Sequence, residues 1–348
     1  MRKVRYSDLL KRSAERAQRS YSELSSDDAE FIEAFIDARF RDISEKTEWT
    51  DLMRIEKRTF RQPWAAGSHA AGTELYDRNA DRYVVALKTT SNAPSDSDEI
   101  IHDDWGELAT SYSDGKYDST KDYAVGDKVY YHVDDKYYQM HTDASAGTVP
   151  TNTSYWGELP LFDKYIALEQ SWESTEIGTP TYVWNKNRKL DSAATNLRFF
   201  LSHNGVQCPG KDTKVWLEFR TKVPDTIHTT YYDASTTYYM GDVVRYRSVS
   251  DNSVFDLYTA VANSFSGTAP TVGGDNANWE LVAIPHIFRD YIIHGAAADL
   301  LKHDEKQEIA ILEEQQAQAA LLAQLDVQER QSQQNEFFNV RTYSHANN

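Results

Sequence analysis

A repeat constrains this chain more than any other feature. The segment Asp122 to Leu159, DYAVGDKVYYHVDDKYYQMHTDASAGTVPTNTSYWGEL, recurs from Thr237 to Val282 as TYYMGDVVRYRSVSDNSVFDLYTAVANSFSGTAPTVGGDNANWELV. In each, an aromatic residue precedes Gly-Asp, at Gly126-Asp127 and Gly241-Asp242. A strand-like run follows (Val129, Tyr130, Tyr131; Val244, Tyr246), then a second (Tyr137, Tyr138; Phe255, Leu257, Tyr258). A Gly-Thr-x-Pro loop, Gly147 to Pro150 or Gly267 to Pro270, leads to a closing Trp156 or Trp279. A more diverged copy lies upstream, with Gly72, Tyr76, Tyr83, Val84, Ala86, Leu87, Pro94 and Trp105 in the same order. Two short strands bury too little to be stable alone, so the closing Trp supplies the apolar area that completes each unit. Gly-Asp serves the turn: Gly accepts positive φ and Asp caps nearby amides.

The flanks of the β-rich region read differently. Asp8 to Arg19 carries Leu9, Leu10, Ala14 and Ala17 among charges. Asp27 is placed to cap a second helix with Glu30 three residues on. Behind it Phe31, Ile32, Phe35, Ile36, Phe40 and Ile43 mark a core face, which would leave Glu33, Asp37 and Arg41 outward. Trp49 to Phe60 reads as a third short helical element. From Pro285, a first-turn proline, one long helix is expected to Gln334, with a broken apolar stripe from Tyr291 to Leu325. Too long to bury itself on a small domain, it is expected to pack against other copies or partners. NEFFNVRTYSHANN then reads as an extended arm.

These elements predict an α+β fold: a helical core from the N- and C-terminal segments, a central β-unit and two to three small all-β modules. The boundaries fall at 1–61 (helical), 62–110, 111–160 and 231–283 (modules), 161–230 (β-unit), 284–334 (long helix) and 335–348 (arm). In the β-unit, strands are expected at Ile177 to Trp184, Leu197 to Leu201 and Val215 to Arg220, with a turn at Asn204-Gly205.

The repeats, with Tyr-x-x-Gly-Asp-x-Val, a Pro loop and a terminal Trp, resemble the small chitin-binding-type carbohydrate-binding modules of families five and twelve. The Ala-Lys-Trp-Trp-like strip with which those modules stack on sugar is missing from every copy. The resemblance still implies glycan stacking as a role for Tyr131, Tyr138, Tyr246 and Tyr258; packing within tiny cores is the reading the residues favour.

Removing the repeats leaves N-terminal helices, a β-unit and a C-terminal helix. That order, with WTDLMRIEKRTF before the β region and IFRDYIIHGAAADLLKHDEKQEIAILEEQ after it, resembles the head-to-tail connector (adaptor) proteins of tailed bacteriophages. The resemblance implies a virion structural protein, made in the host cytoplasm and placed at the head-tail junction. Its partners would be a portal protein, a tail or nozzle protein and about twelve copies of itself in a ring. Genomic DNA would pass through without specific binding, and surface polysaccharide is a further candidate ligand of the modules. The rival expectation is a carbohydrate-binding accessory protein or adhesin. Phe337, Phe338, Val340 and Tyr343 in the arm are expected to dock on the portal or a neighbour, since each is worth about 1.5–3 kcal/mol when buried.

The charge fits the connector reading. With 54 acidic against 37 basic side chains the net charge is -17, opposite to a phosphate-binding surface. One cysteine, Cys208, excludes an intrachain disulfide and fits a reducing compartment. No signal-peptide pattern or membrane-length apolar run occurs, so a soluble protein is expected.

Nothing in the motifs points to catalysis, a cofactor or a metal, and the chain is read as a non-enzyme. The histidines are scattered, with no His-Glu-x-x-His; His294 and His303 read as solvent or interface residues. Cys208 lacks a basic neighbour in sequence and reads as a structural thiol. The pairs Asp103-Asp104 and Asp134-Asp135 read as solvated turn residues, and SDSDEIIHDD lacks calcium-loop spacing.

Overall fold

In a computed structural model, residues 3–94, 103–170, 172–173, 175–210, 212–224, 226, 229–248, 251–262, 264–282 and 284–344 are described; at 26, 248, 251–254 and 331–344 the description is of backbone alone. The fold is α+β with small all-β modules. The chain forms two units, one of residues 1–54, 171–179 and 220–348 and another of 55–170 and 180–219.

The first unit joins both chain ends. Its helices are α1 (Tyr6–Arg16), α2 (Ser26–Glu45), α3 (Arg289–His303) and α4 (Gln307–Ser344). Helix α3 is apolar nearly all round and must be enclosed. Tyr291, Ile292, Ile293, Ala296, Ala297, Leu300 and Leu301 are buried in one core with Leu9, Leu10, Ile32, Ile36, Phe40 and Ile43. Lys3–Val4 pairs antiparallel with Ile284–Pro285, fastening the two ends.

Several expectations for this unit are corrected. Ser25, not Asp27, caps α2, accepting from the Asp28 amide at 3.1 Å. Pro285 sits in the short strand, and α3 starts only at Arg289. The single long helix is a hairpin, because Glu305 takes a left-handed φ of 60°. The chain turns there with Asp304 N bonded to Leu300 O and Lys306 N to Leu301 O, a helix end made without the usual glycine. The arm expected from 335 is helix to Ser344. Trp49 to Phe60 is not helical: Met53–Thr59 is a strand, edging a sheet ordered Asn196–Leu197, Ile177–Trp184, Lys214–Thr221, Met53–Thr59.

Helix α2 is also turned from the orientation its pattern suggests. Glu33 and Asp37 are buried and Phe31 is exposed. Burial of the acids is tolerable because each is paired. Arg245 lies 2.9 Å from Glu33, while Arg41 Nε and Thr226 Oγ1 each donate to Asp37 at 2.6 Å.

The three modules share one hydrogen-bond plan, the diverged first copy included. The turn glycines Gly72, Gly126 and Gly241 have φ of 84°, 92° and 95°, which a side chain rarely adopts. Their amides donate to Ala86, Met140 and Ala260. Asp127 and Asp242 accept from the amides of Ala124 and Tyr239. The closing indoles of Trp105, Trp156 and Trp279 donate to the carbonyls of Asn92, Thr148 and Thr268. The repeat also starts earlier than Tyr123 and Tyr238. Tyr117 and Tyr232 stack on them at 5.7 Å and 22°, and the amides of Asp118 and Asp233 bond their hydroxyls.

Each module keeps its Trp on one face and buries part of the other. The third module is no detached decoration: Phe255 and Leu257 belong to the helical core. Its Asp256 accepts from Arg5 Nε and the Ser7 amide, both at 3.0 Å, supplying the cap that α1 lacks in its own sequence. The first two modules, in the second unit, pack on each other. A Cβ on Gly157 would lie 2.5 Å from Leu87, backbone included, and one on Gly106 would lie 2.6 Å from Leu159 Cδ1. By strand register Glu280 holds the same position in the third module, and it pairs there with Lys3.

Gly157→Ala is therefore expected to cost about 1–3 kcal/mol through overpacking against Leu87. Gly115→Ala, with nothing within 4 Å of the added carbon, should stay within about 0.5 kcal/mol of wild type. Denaturant unfolding followed by Trp fluorescence compares the two.

Candidate functional site

The four tyrosines implicated in glycan stacking lie inside the modules' aromatic clusters. Tyr258 is fully buried, its hydroxyl donating to Thr271 O and accepting from the Gly273 amide, both at 2.9 Å. Tyr138 is buried and donates to Asp134 at 2.5 Å. Tyr131 is half-buried, edge-on to Tyr117 and Tyr138. Tyr246 repeats that arrangement against Tyr232 and Tyr258. Stacking on a pyranose requires an open ring face, and the two buried rings offer none. Asp134 and Asp135 are not merely solvated turn residues, since they accept from Tyr138 and Tyr130 hydroxyls.

The Asp-rich stretch lies outside the described residues except for Asp103 and Asp104. Asp104 is committed internally, accepting from Thr90 at 2.6 Å and Asn92 at 2.7 Å and pairing with Lys88 at 2.6 Å. Burial alone would raise its carboxyl, but these partners hold it down at about 2. Among the described residues no group of three His, Cys, Asp or Glu side chains is placed to hold a metal ion.

A cavity of about 210 Å³ in the second unit is lined by Phe60, Leu197, Arg198, Cys208, Pro209, Gly210, Asp212 and Val215. The Cys208 thiol is buried, and burial pushes its pKa up to about 12. It stays protonated at neutral pH, which is the opposite of an activated thiol.

The helical unit carries the most developed polar geometry. Arg39 of α2 donates Nε and Nη2 to the two Asp299 oxygens of α3 at 2.7 and 2.8 Å. Its Nη1 and Nη2 reach Glu314 of α4 at 3.1 and 2.6 Å. The guanidinium lies over Gly295, where a Cβ would stand 2.9 Å from Arg39 Cδ. Asp42 accepts from Tyr291, and His294 of α3 meets Glu313 of α4 at 2.6 Å. This is a structural clamp, holding α4 by its inner face.

The outer face of α4 differs in character. Ala310, Ala317 and Leu321 are buried, whereas Ile311, Leu312, Leu322 and Val327 are exposed. Leu312 and Leu322 belong to the broken apolar stripe read from the sequence, and they are its outward part, while Leu321 of the same stripe is buried. The four residues expected to dock, Phe337, Phe338, Val340 and Tyr343, fall on the last turns of the helix, and their side chains lie outside the described residues.

No family model matches the chain, and no curated protein matches it.

The Arg39 guanidinium holds the Glu314 carboxyl at about 2, below the usual carboxylate range. A depressed folded-state value means that this contact stabilises fully above the unfolded carboxylate value of about 4.3 and is lost as pH falls from there through the folded value. The helical unit should melt at progressively lower temperature over that window. Glu314→Gln should melt lower than wild type at neutral pH and lose less on acidification. Circular dichroism melts across the acid range check both; parallel curves for the two proteins would refute the assignment.

Proposed function

We propose that the chain is a virion structural protein, a head-to-tail connector subunit that forms a closed ring between a portal and a tail. One observation carries this reading: segments from both ends of the sequence fold into a single helical unit, with the β-rich region inserted between them. That is the order of elements on which the resemblance to phage connectors rests. From this unit runs a helix of 38 residues, about 57 Å at 1.5 Å per residue, with large apolar side chains on its outer face. A monomer has no use for such a face, whereas an assembling subunit does.

The net charge of -17 suits a channel wall, because carboxylates repel the phosphates of passing DNA instead of retaining them. In this reading the third module braces the helical unit, and the first two form a separate packed pair. Glycan recognition is the weaker reading, since Tyr138 and Tyr258 are spent on packing and internal hydrogen bonds.

Negative-stain imaging and native mass measurement of the purified protein, alone and with the portal protein of the same virion, test the proposal. The expected result is a closed cyclic oligomer on the portal. A protein that stays monomeric and unbound under both conditions would overturn it.

A further inference from the structure

Two helices of the first unit bury the wrong side chains for an isolated molecule. Helix α2 buries Glu33 and Asp37 and leaves Phe31 40% exposed, with Phe35 half-buried beside it, stacked at 6.3 Å and 18°. Ala34 and Ala38 continue that face at helical spacing. Helix α4 buries Ala310 and Ala317 and leaves Leu312 and Leu322 exposed by 61% and 64%. Around them Ile311, Gln315, Gln316, Ala319 and Ala323 are also exposed. Between Glu308 and Asp326 the only charged residues of α4 are Glu313 and Glu314, and both are bound inward to His294 and Arg39.

The molecule therefore presents an uncharged stripe on α4 and a two-turn aromatic and alanine patch on α2, the latter beside the His303 ring at 4.4 Å and bounded along the helix by Asp27 and Asp42, in a chain of net charge -17. Copies of so acidic a protein repel one another, and a contact between them is best made where charge is missing; interface cores are depleted of charged residues for this reason. A closed ring also needs two different surfaces on every subunit, one for each neighbour. The patch on α2 and the stripe on α4 supply that pair.

We infer that the outward face of α4 around Leu312 and Leu322 docks on the Phe31–Phe35 face of α2 in a second copy of this chain, making a heterologous contact between copies. Rows of Leu, Ile and Ala on one helix fit as ridges into the spaces between aromatic side chains and alanines on the other. The inference rests on the ring-forming reading above and names the surfaces that would make the ring.

Cysteine cross-linking tests it, because the natural Cys208, the one cysteine of the chain, is buried. L312C and F31C proteins are prepared separately, mixed under conditions that exchange subunits, and oxidised. A disulfide between the two variants, with little in either alone, is the expected result. Cross-linking of L312C chiefly to itself would mean that α4 pairs with α4, and it overturns the inference. In parallel, L312E and F31E should each reduce the assembly to monomer mass while keeping the wild-type circular dichroism spectrum, and the double variant L312K with F31E should reassemble. Rings that survive both single substitutions overturn the inference but leave the connector reading standing. A wild-type protein that forms no ring fails the connector reading first and takes this inference with it.

Discussion

The helical unit depends on one side chain laid across one glycine. Helix α3 is apolar on nearly every side, so it is stable only when α1, α2 and α4 enclose it. Burial alone does not fix how those helices are rotated, because Leu, Ile and Ala pack in many registers. Arg39 does. Its planar guanidinium makes a fork to Asp299 and a second to Glu314, a directional arrangement that a lysine ammonium cannot copy. The side chain passes only because residue 295 lacks a Cβ. These pairs are only partly buried, so removing one partner is expected to cost less than the about 3–5 kcal/mol typical of a fully buried ion pair.

The modules show how one position can choose the partner of a whole domain. All three share the turn glycine, the indole-to-carbonyl bond and the strand order. They differ at 106, 157 and 280. Glycine at the first two lets the sheets of neighbouring modules approach until Leu87 touches the Gly157 backbone. Glutamate at the third forbids that approach and reaches Lys3 instead, at the place where the N-terminal strand meets Ile284–Pro285. The same small scaffold is thus used once as a pair and once as a brace for helices.

How much of this was legible follows the range of the interactions involved. The repeat, the Gly-Asp turn and the closing Trp were legible because each is local, and the α+β class followed from the change in pattern at Pro63 and Ala283. Strands at Ile177–Trp184 and Lys214–Thr221 were legible for the same reason. The strand Met53–Thr59 was not, since MRIEKRT is charged and gains its place only from the sheet beside it. The helix break at Glu305 carries neither Gly nor Pro. Tyr117 and Tyr232 were passed over, although Tyr-Asp six residues before each module's first aromatic repeats in both copies.

The rotation of α2 was hidden for a more informative reason. Its sequence offers a carboxylate flank and an aromatic flank on either side of the Ile32, Ile36 and Phe40 row, and periodicity favours aromatics inside. What reverses this is Arg245, about two hundred residues away on the third module, together with Thr226. Those partners make Glu33 and Asp37 cheaper to bury than they would be alone, so the carboxylate flank turns inward and Phe31 turns out. The outward aromatic face of α2 is then in part a consequence of its contact with the third module. A module that only decorated the surface would leave α2 free to bury its phenylalanines; this one, by pairing Arg245 with Glu33 while Thr226 and Arg41 hold Asp37, helps turn Phe31 outward.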